Sequence, residues 1–154
     1  MKDNKKAHDI FTKFLKNGKN RITPERFQVL DVALEMEEHF GADELYLQIK
    51  MNKINVSRAT VYNTLELLVQ CKLLVKRNFG DNIAKYESCF ERKRHDHLVC
   101  TDCGKIFEFT DTDIYPIIDK ICTESNFEFN NYSFNIFGKC KDKSNCTKQN
   151  ENLD

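Results

Sequence analysis

The sequence predicts an α+β protein in which a helical N-terminal part precedes a smaller part built from short strands. Three observations predict it. Helical spacing of apolar residues recurs up to about residue 70, a strand-turn-strand pattern follows, and a Cys-x-x-Cys-Gly knuckle lies between two short apolar segments beyond residue 95. Apolar residues recur every three to four positions on the buried face of a helix and every two positions on a strand. At 154 residues, the chain has room for one domain or two small ones.

Four helices are predicted in the N-terminal part. The first covers residues 5–17 and is closed by Gly18. The second begins after Thr23, because threonine is a favoured N-cap and Pro24 suits the first helical position. The third covers residues 42–51, and the fourth begins after Ser57, another favoured N-cap.

A β-hairpin is predicted directly after the fourth helix. Residues 73–77 and 83–86 are rich in strand-forming side chains, and Gly80-Asp81-Asn82 between them is a turn sequence. Three helices followed by a hairpin is the element order of a winged helix-turn-helix.

The C-terminal part is predicted to be a separate module. We place a winged-helix domain at residues 1–88, a hinge at 89–94, the module at 95–147 and a polar, disordered tail at 148–154. Residues 97–99 and 106–109 are short strands, 113–125 are a helix, and 127–137 alternate as a long strand or a strand pair would. Such a small module buries little core, so it needs a structural metal or a dimer interface.

The charge distribution and the cysteine content limit the classes of function that fit this sequence. Residues 1–90 carry 15 Lys+Arg against 12 Asp+Glu, and residues 91–154 carry 9 against 12, so the N-terminal half can approach a polyanion. Solvated surface charge explains so small a surplus equally well. No membrane-length apolar run and no signal peptide are present, so we expect a cytoplasmic chain without membrane association. In that compartment, seven cysteines indicate metal or redox chemistry rather than disulfides.

Two groups of metal-competent residues overlap in sequence. Cys100 and Cys103, joined by Cys140 and Cys146, can form a tetrahedral four-thiolate zinc site. His95 and His97 are two positions apart on an extended segment, so their side chains point the same way and can grip one metal ion. Spacing alone leaves open whether these are one site or two.

Motifs in both halves of the chain resemble those of the ferric uptake regulator family, which are metal-responsive bacterial repressors. They are residues 21–26 (RITPER), 39–46 (HFGADELY), 57–65 (SRATVYNTL) and 95–109 (HDHLVCTDCGKIFEF). The resemblance covers about residues 8–146. It implies a winged-helix DNA-binding domain, a dimerisation domain and a sensor site at the hinge. A homodimer, or a tetramer, would bind a palindromic, AT-rich DNA operator.

The resemblance also implies that the two groups of ligands are separate sites. The regulatory ligands carried over by position are His39, Glu87, His95, His97 and Glu108. Nitrogen and carboxylate ligands suit Fe(II), with Mn(II) or Zn(II) able to bind in vitro, whereas the four-cysteine site would hold zinc permanently. Glu87 is the least secure ligand because its distance from His95 is one residue longer than usual, and Cys89 or Glu91 could replace it.

This chain departs from the family at a further metal site. Many members have histidine at the position of Arg94, and the other ligands of that site are Asp96 and the positions of Tyr115 and Tyr132. Three of four ligands are therefore replaced. We predict no third metal site, with Asp96 left as an acidic residue supporting the neighbouring ligands.

The resemblance makes the fourth helix the recognition helix in the DNA major groove. Arg58 can donate to guanine or phosphate, and Tyr62 can pack on a thymine methyl group. The predicted DNA-contacting residues are Lys16, Lys19, Arg21, Ser57, Arg58, Thr60, Tyr62 and Asn63. Solvated surface is the alternative explanation for each basic residue.

Several alternatives stay open at this point. Peroxide, manganese and zinc sensors share the plan, although peroxide sensors tend to have aspartate at the positions of Glu87 and Glu108. A zinc hydrolase with Glu108 as its base is a remote alternative, and a constitutive DNA-binding zinc protein is another. No role is assigned to Cys71, Cys89 or Cys122.

Overall fold

The computed structural model describes residues 4–36, 39–79, 84–90, 95–130, 132–142, 144 and 146. The chain divides into two compact units, Met1–Arg92 and Lys93–Asp154. Most of the predicted hinge, the predicted wing turn at residues 80–82 and the predicted tail lie outside the described residues.

The N-terminal unit is a winged helix-turn-helix, as the sequence predicts. Its elements are α1 (Lys5–Asn17), α2 (Pro24–Glu35), α3 (Ala42–Met51), α4 (Arg58–Gln70), β1 (Leu74–Asn78) and β2 (Ala84–Ser88). The helices pack around apolar side chains such as Phe11, Leu30, Ile49 and Leu65, which are fully buried. Ser57 begins α4 by accepting a hydrogen bond from the Thr60 amide at 3.1 Å.

The hairpin of this unit is extended by one further backbone contact. β1 and β2 are antiparallel, with Val75 opposite Glu87. On the other side of β2, Phe40 and Tyr86 exchange backbone hydrogen bonds of 2.8 and 3.0 Å. The residue before Phe40, His39, is thereby placed beside Glu87.

The C-terminal unit is a three-stranded sheet with one helix. Its elements are β3 (Asp96–Cys100), β4 (Ile106–Phe109), α5 (Ile114–Glu124) and β5 (Asn135–Gly138). β3 lies in the middle, antiparallel to β4 and parallel to β5. The α+β class with strands flanking the cysteine knuckle is confirmed.

The predicted long strand or strand pair at residues 127–137 is wrong. Among the described residues of this segment, 127–130 and 132–138, only Asn135–Gly138 forms a strand, and it pairs with residues 97–100 of β3. The alternating aromatic residues before it make ring contacts instead. Phe134 lies 6.1 Å from Phe109, and Tyr132 lies 6.4 Å from Phe129, between ring centroids.

Apolar burial is uneven between the two units. The large buried apolar cluster of the described residues belongs to the N-terminal unit. In the C-terminal unit, α5 buries no residue, and Ile117, Ile121 and Phe127 are 58, 56 and 71% exposed. Among the described residues, no helix combines the length and apolar character needed to cross a membrane.

Candidate metal centres and nucleic-acid interface

Strand register brings the four predicted zinc ligands together. Cys100 ends β3 directly opposite Gly138 of β5, so Cys140 follows two residues beyond that pairing. The knuckle turns at Gly104, whose φ of +73° is costly for other residues. The Sγ atoms of Cys100, Cys103, Cys140 and Cys146 lie within 4.8 Å of one another.

An Asx-type turn lies at Asp142 and Ser144, between the second pair of cysteines, Cys140 and Cys146. The Ser144 amide and hydroxyl donate to Asp142 at 3.0 and 2.6 Å, and these hydrogen bonds lower the pKa of Asp142. The turn folds the chain between Cys140 and Cys146, and Cys146 is 4% exposed.

The thiols of Cys100, Cys140 and Cys146 differ in acidity. Backbone amides of Cys103 and Cys140 donate to Cys100 and lower its pKa to about 6. Hydrogen bonding to Cys100, followed by burial, raises the pKa of Cys140 to about 11, and burial raises that of Cys146 to about 12. Crowded thiols resist joint ionisation, and a divalent cation removes that resistance by neutralising their repulsion.

The cluster fits a zinc ion. A tetrahedral Zn(II) with Zn–S bonds of about 2.3 Å separates its sulfur atoms by about 3.8 Å. Thiol separations of no more than 4.8 Å are compatible with that spacing. Zinc bound here would tie the knuckle after β3 to the segment after β5.

Three of the predicted regulatory ligands lie on one face of the C-terminal sheet. His95 and His97 are two residues apart, with ring centroids separated by 5.0 Å. Glu108 of β4 pairs directly with His97, and its Oε1 lies 3.6 Å from Nε2 of His95. His97 is 1% exposed, so this group combines a buried imidazole with a carboxylate at the surface.

The other two predicted ligands meet in the N-terminal unit. His39 Nε2 lies 3.1 Å from Oε2 of Glu87, and the side chains of the two are 6 and 2% exposed. Phe79 covers His39 edge-on, with 5.4 Å between ring centroids. The opposite carboxylate oxygen of Glu87 accepts from Nε of Arg77 at 2.8 Å. This contact was not predicted, because the two residues lie ten positions apart in the sequence.

Cys89, a predicted substitute for Glu87, has a different environment. Cys89 is exposed as a residue, but its thiol donates to the Lys72 carbonyl at 3.1 Å, and partial desolvation of the sulfur raises its pKa. The other substitute, Glu91, lies outside the described residues. Local geometry therefore favours Glu87, which already contacts His39.

Asp96 has a partner that the sequence analysis overlooked. It lies on the face of β3 opposite to His95 and His97, and Oδ2 accepts from the Tyr132 hydroxyl at 3.2 Å. Tyr115 packs on Tyr132 with 6.0 Å between ring centroids. Burial, followed by the hydrogen bond with Tyr115 and the Asp96 charge, raises the pKa of Tyr132 to about 12. This contact was not predicted, because the Tyr132 phenol acts as a hydrogen-bond donor, whereas a metal ligand donates an electron pair.

The predicted DNA-contacting residues lie at the surface of the N-terminal unit. All except the half-buried Thr60 are exposed, namely Lys16, Lys19, Arg21, Ser57, Arg58, Tyr62 and Asn63. Asp43 was not predicted to belong to this group, but it contacts two members. It accepts from the Tyr62 hydroxyl at 2.9 Å and lies 3.6 Å from Arg58.

A pocket of about 470 Å³ opens beside the start of α4. Its lining residues are Arg21, Thr23, Glu25, Arg26, Asn55, Ser57, Thr60 and Asn63. Arg26 was not predicted to contact DNA, yet its buried Nη1 atom has no hydrogen-bond partner among the described residues.

Comparison with known proteins identifies the family. The sequence profile of the Ferric uptake regulator family matches residues 17–137. The chain belongs to the ferric uptake regulator family. A "Ferric uptake regulation protein" of Haemophilus ducreyi is 32% identical over 138 residues, which are 88% of this chain and 92% of that protein.

Solved structures of the family share the fold. The Vibrio cholerae ferric uptake regulator superposes with a TM-score of 0.69 at 30% identity, over 82% of this chain and 96% of that one. The Campylobacter jejuni peroxide stress regulator gives 0.66 at 28% identity, over 93% and 99%. Ferric uptake regulator proteins are transcription regulators and not enzymes, so the hydrolase alternative is excluded.

Removing the Tyr132 hydroxyl tests the Asp96 contact. Tyr132→Phe should lower the free energy of unfolding by about 1–3 kcal/mol, because it takes a donor from a buried carboxylate. Urea unfolding followed by circular dichroism measures the change. Tyr46→Phe is the control, since Tyr46 contacts Lys50 and Arg58 through its ring face. Equal, near-zero effects of the two substitutions would contradict the assignment.

Proposed function

We propose that this chain is a metal-dependent, DNA-binding transcriptional repressor that responds to Fe(II) and regulates iron uptake. One observation carries the proposal: the family fold here holds two kinds of ligand set, one entirely thiol and one entirely nitrogen and oxygen. Thiolates hold zinc tightly, whereas imidazole and carboxylate ligands suit an exchangeable ion. The first set would be structural and the second regulatory.

The structural role falls to Cys100, Cys103, Cys140 and Cys146. The C-terminal unit buries few apolar side chains, so zinc bound to these thiolates would supply folding free energy that packing within the unit does not. The zinc would be a permanent part of the fold.

The regulatory ion would use His39 and Glu87 from one unit and His95, His97 and Glu108 from the other. An ion that takes ligands from both units stabilises one arrangement of the units over others. It can thereby favour the arrangement that binds DNA. A structural rearrangement of the DNA-binding domains is known in the Vibrio cholerae relative.

Fe(II) is the proposed effector because the ligands are imidazoles and glutamates without a thiolate. Mn(II) and Zn(II) can bind the same ligand types in vitro. Peroxide sensing is the second candidate, supported by the likeness to the Campylobacter jejuni peroxide stress regulator. Oxidation of His39 or His95 after peroxide treatment of the Fe(II)-loaded protein, found by mass spectrometry, would favour that candidate.

The DNA-binding surface would centre on the N-terminal end of α4, which carries Ser57, Arg58, Thr60, Tyr62 and Asn63. Lys16, Lys19 and Arg21 would contact the DNA backbone or the minor groove. The pocket beside α4, which Arg21 and Arg26 help to line, would seat a backbone phosphate. When DNA binds, Arg58 and Tyr62 would lose their contacts with Asp43 and contact the DNA instead.

A homodimer is the proposed assembly, and it can pair further into a tetramer. The exposed apolar residues of α5 and β5, including Ile117, Ile121 and Phe137, form a surface that a second copy would cover. A symmetric dimer would read a palindromic operator in the cytoplasm, where that DNA lies.

Metal titration of operator binding tests the regulatory site. Operator affinity should rise with Fe(II) at cell-like free concentrations, and His95→Ala should abolish the response while retaining the thiolate-bound zinc. Fluorescence anisotropy under anaerobic conditions measures the affinity, and Mn(II) and Zn(II) are titrated alongside. A response to Zn(II) alone would refute the iron proposal.

Loss of one thiol tests the structural site. Cys103→Ser should release zinc and unfold the C-terminal unit, because three ligands hold the ion less tightly. Atomic emission gives the zinc content, and circular dichroism gives the folded fraction. Cys122 lies on α5 outside the cluster, so the control variant Cys122→Ser should retain one zinc per chain. Retained zinc and fold in Cys103→Ser would contradict the assignment.

A charge placed on α5 tests the dimer interface. Ile121→Glu should shift the chain toward monomer, because the carboxylate would lose its hydration in an apolar interface. Analytical ultracentrifugation measures the shift. Met51→Glu is the matched control, since Met51 is a 75% exposed apolar residue of the N-terminal unit. An unchanged dimer in Ile121→Glu would place the interface elsewhere.

A further inference from the structure

The carboxylate of Glu87 is already neutralised by a neighbouring cation within its own unit. Oε1 accepts from Arg77 Nε at 2.8 Å, and Oε2 faces His39 Nε2 at 3.1 Å. Both oxygens are engaged on a side chain that is 2% exposed. A carboxylate this buried would be strongly destabilised without a cationic or donor partner.

The hairpin register explains why Arg77 reaches Glu87. Val75 is opposite Glu87 and Arg77 is opposite Lys85, so Arg77 is the diagonal neighbour of Glu87 on the same face. Lys85 turns away to Glu44, with 2.9 Å between Nζ and Oε1. Lys76 lies on the other face of the hairpin and pairs with Glu66 at 2.8 Å. Of Arg77, Lys76 and Lys85, it is Arg77 whose side chain donates to the buried carboxylate of Glu87.

Arg77 disfavours a metal ion at this carboxylate through its charge, and its hydrogen bond fixes which oxygen remains for the ion. Its fixed positive charge repels a divalent cation, and its hydrogen bond holds Oε1, which leaves Oε2 as the oxygen facing His39. In the metal-free chain, the same contact stabilises Glu87. The Arg77 guanidinium thus neutralises the Glu87 carboxylate when no metal is bound, as the metal would when the site is occupied.

We propose that Arg77 is a resident counterion that sets the affinity of the regulatory site by competing with the metal for Glu87. The inference rests on the proposed function, in which Glu87 is a ligand. The competition keeps the ion exchangeable, as a sensor requires, and it couples the occupancy of the site to strand β1 of the DNA-binding unit.

Charge removal at Arg77 is the test, with Mn(II) as the probe because it is stable in air. Arg77→Gln should tighten the dissociation constant for Mn(II) by about tenfold or more, measured by competition against a chelator in the zinc-loaded protein. It should also lower the unfolding temperature of the Mn(II)-free protein more than that of the Mn(II)-loaded protein. Lys76→Gln, on the adjacent residue with a different partner, should change neither quantity.

An unchanged or weaker Mn(II) affinity in Arg77→Gln would overturn the inference, since it would mean that Arg77 only orients Glu87 for the metal. Arg77→Lys keeps the charge and should bind Mn(II) within about threefold of the parent chain. Tightening in Arg77→Lys as large as the tenfold expected for Arg77→Gln would also overturn the inference, even where Arg77→Gln does not fold. If the parent chain binds no Mn(II) beside its zinc, the proposed function itself fails.

Discussion

The hydrogen-bonded register of β3 with its two neighbours is the constraint on which the C-terminal unit depends. Pairing with β4 places Glu108 opposite His97, and parallel pairing with β5 places Gly138 opposite Cys100. Because side chains alternate along a strand, a slip of one residue would move each ligand to the wrong face. Zinc on the four thiols, as proposed, would prevent such a slip by linking the ends of β3 and β5.

In the N-terminal unit, by contrast, the candidate ligands lie beside a large apolar core. Glu87 is nearly inaccessible to water and is held between an imidazole and a guanidinium. The local fold therefore tolerates the carboxylate without an added ion. This contrasts with the crowded thiols, where burial and hydrogen bonds within the cluster raise the pKa values of Cys140 and Cys146 and oppose joint ionisation.

Much of the fold follows from local sequence patterns, whereas several contacts of the sites do not. Helix bounds could be predicted because Pro24 and Ser57 mark helix starts through backbone chemistry that acts over a few residues. The strand prediction at residues 127–137 failed because strand formation depends on a partner elsewhere in the chain.

The candidate metal ligands were predicted from spacing and family motifs, while the contacts of Arg77, Tyr132 and Asp43 were not. These residues act through hydrogen bonds across strands or between helices, and no short-range pattern encodes such pairs. Such supporting residues become visible only when distances between side chains are available.

Chelation that removes only the weakly held metal tests the separation of structural and regulatory sites most directly. Zinc content and operator affinity are measured on the same sample before and after chelation, and again after Fe(II) is restored. The account predicts one zinc per chain throughout, with operator affinity lost on chelation and regained with Fe(II). Operator affinity that stays unchanged while the weakly held metal is absent would contradict it, because the chain would then bind DNA constitutively.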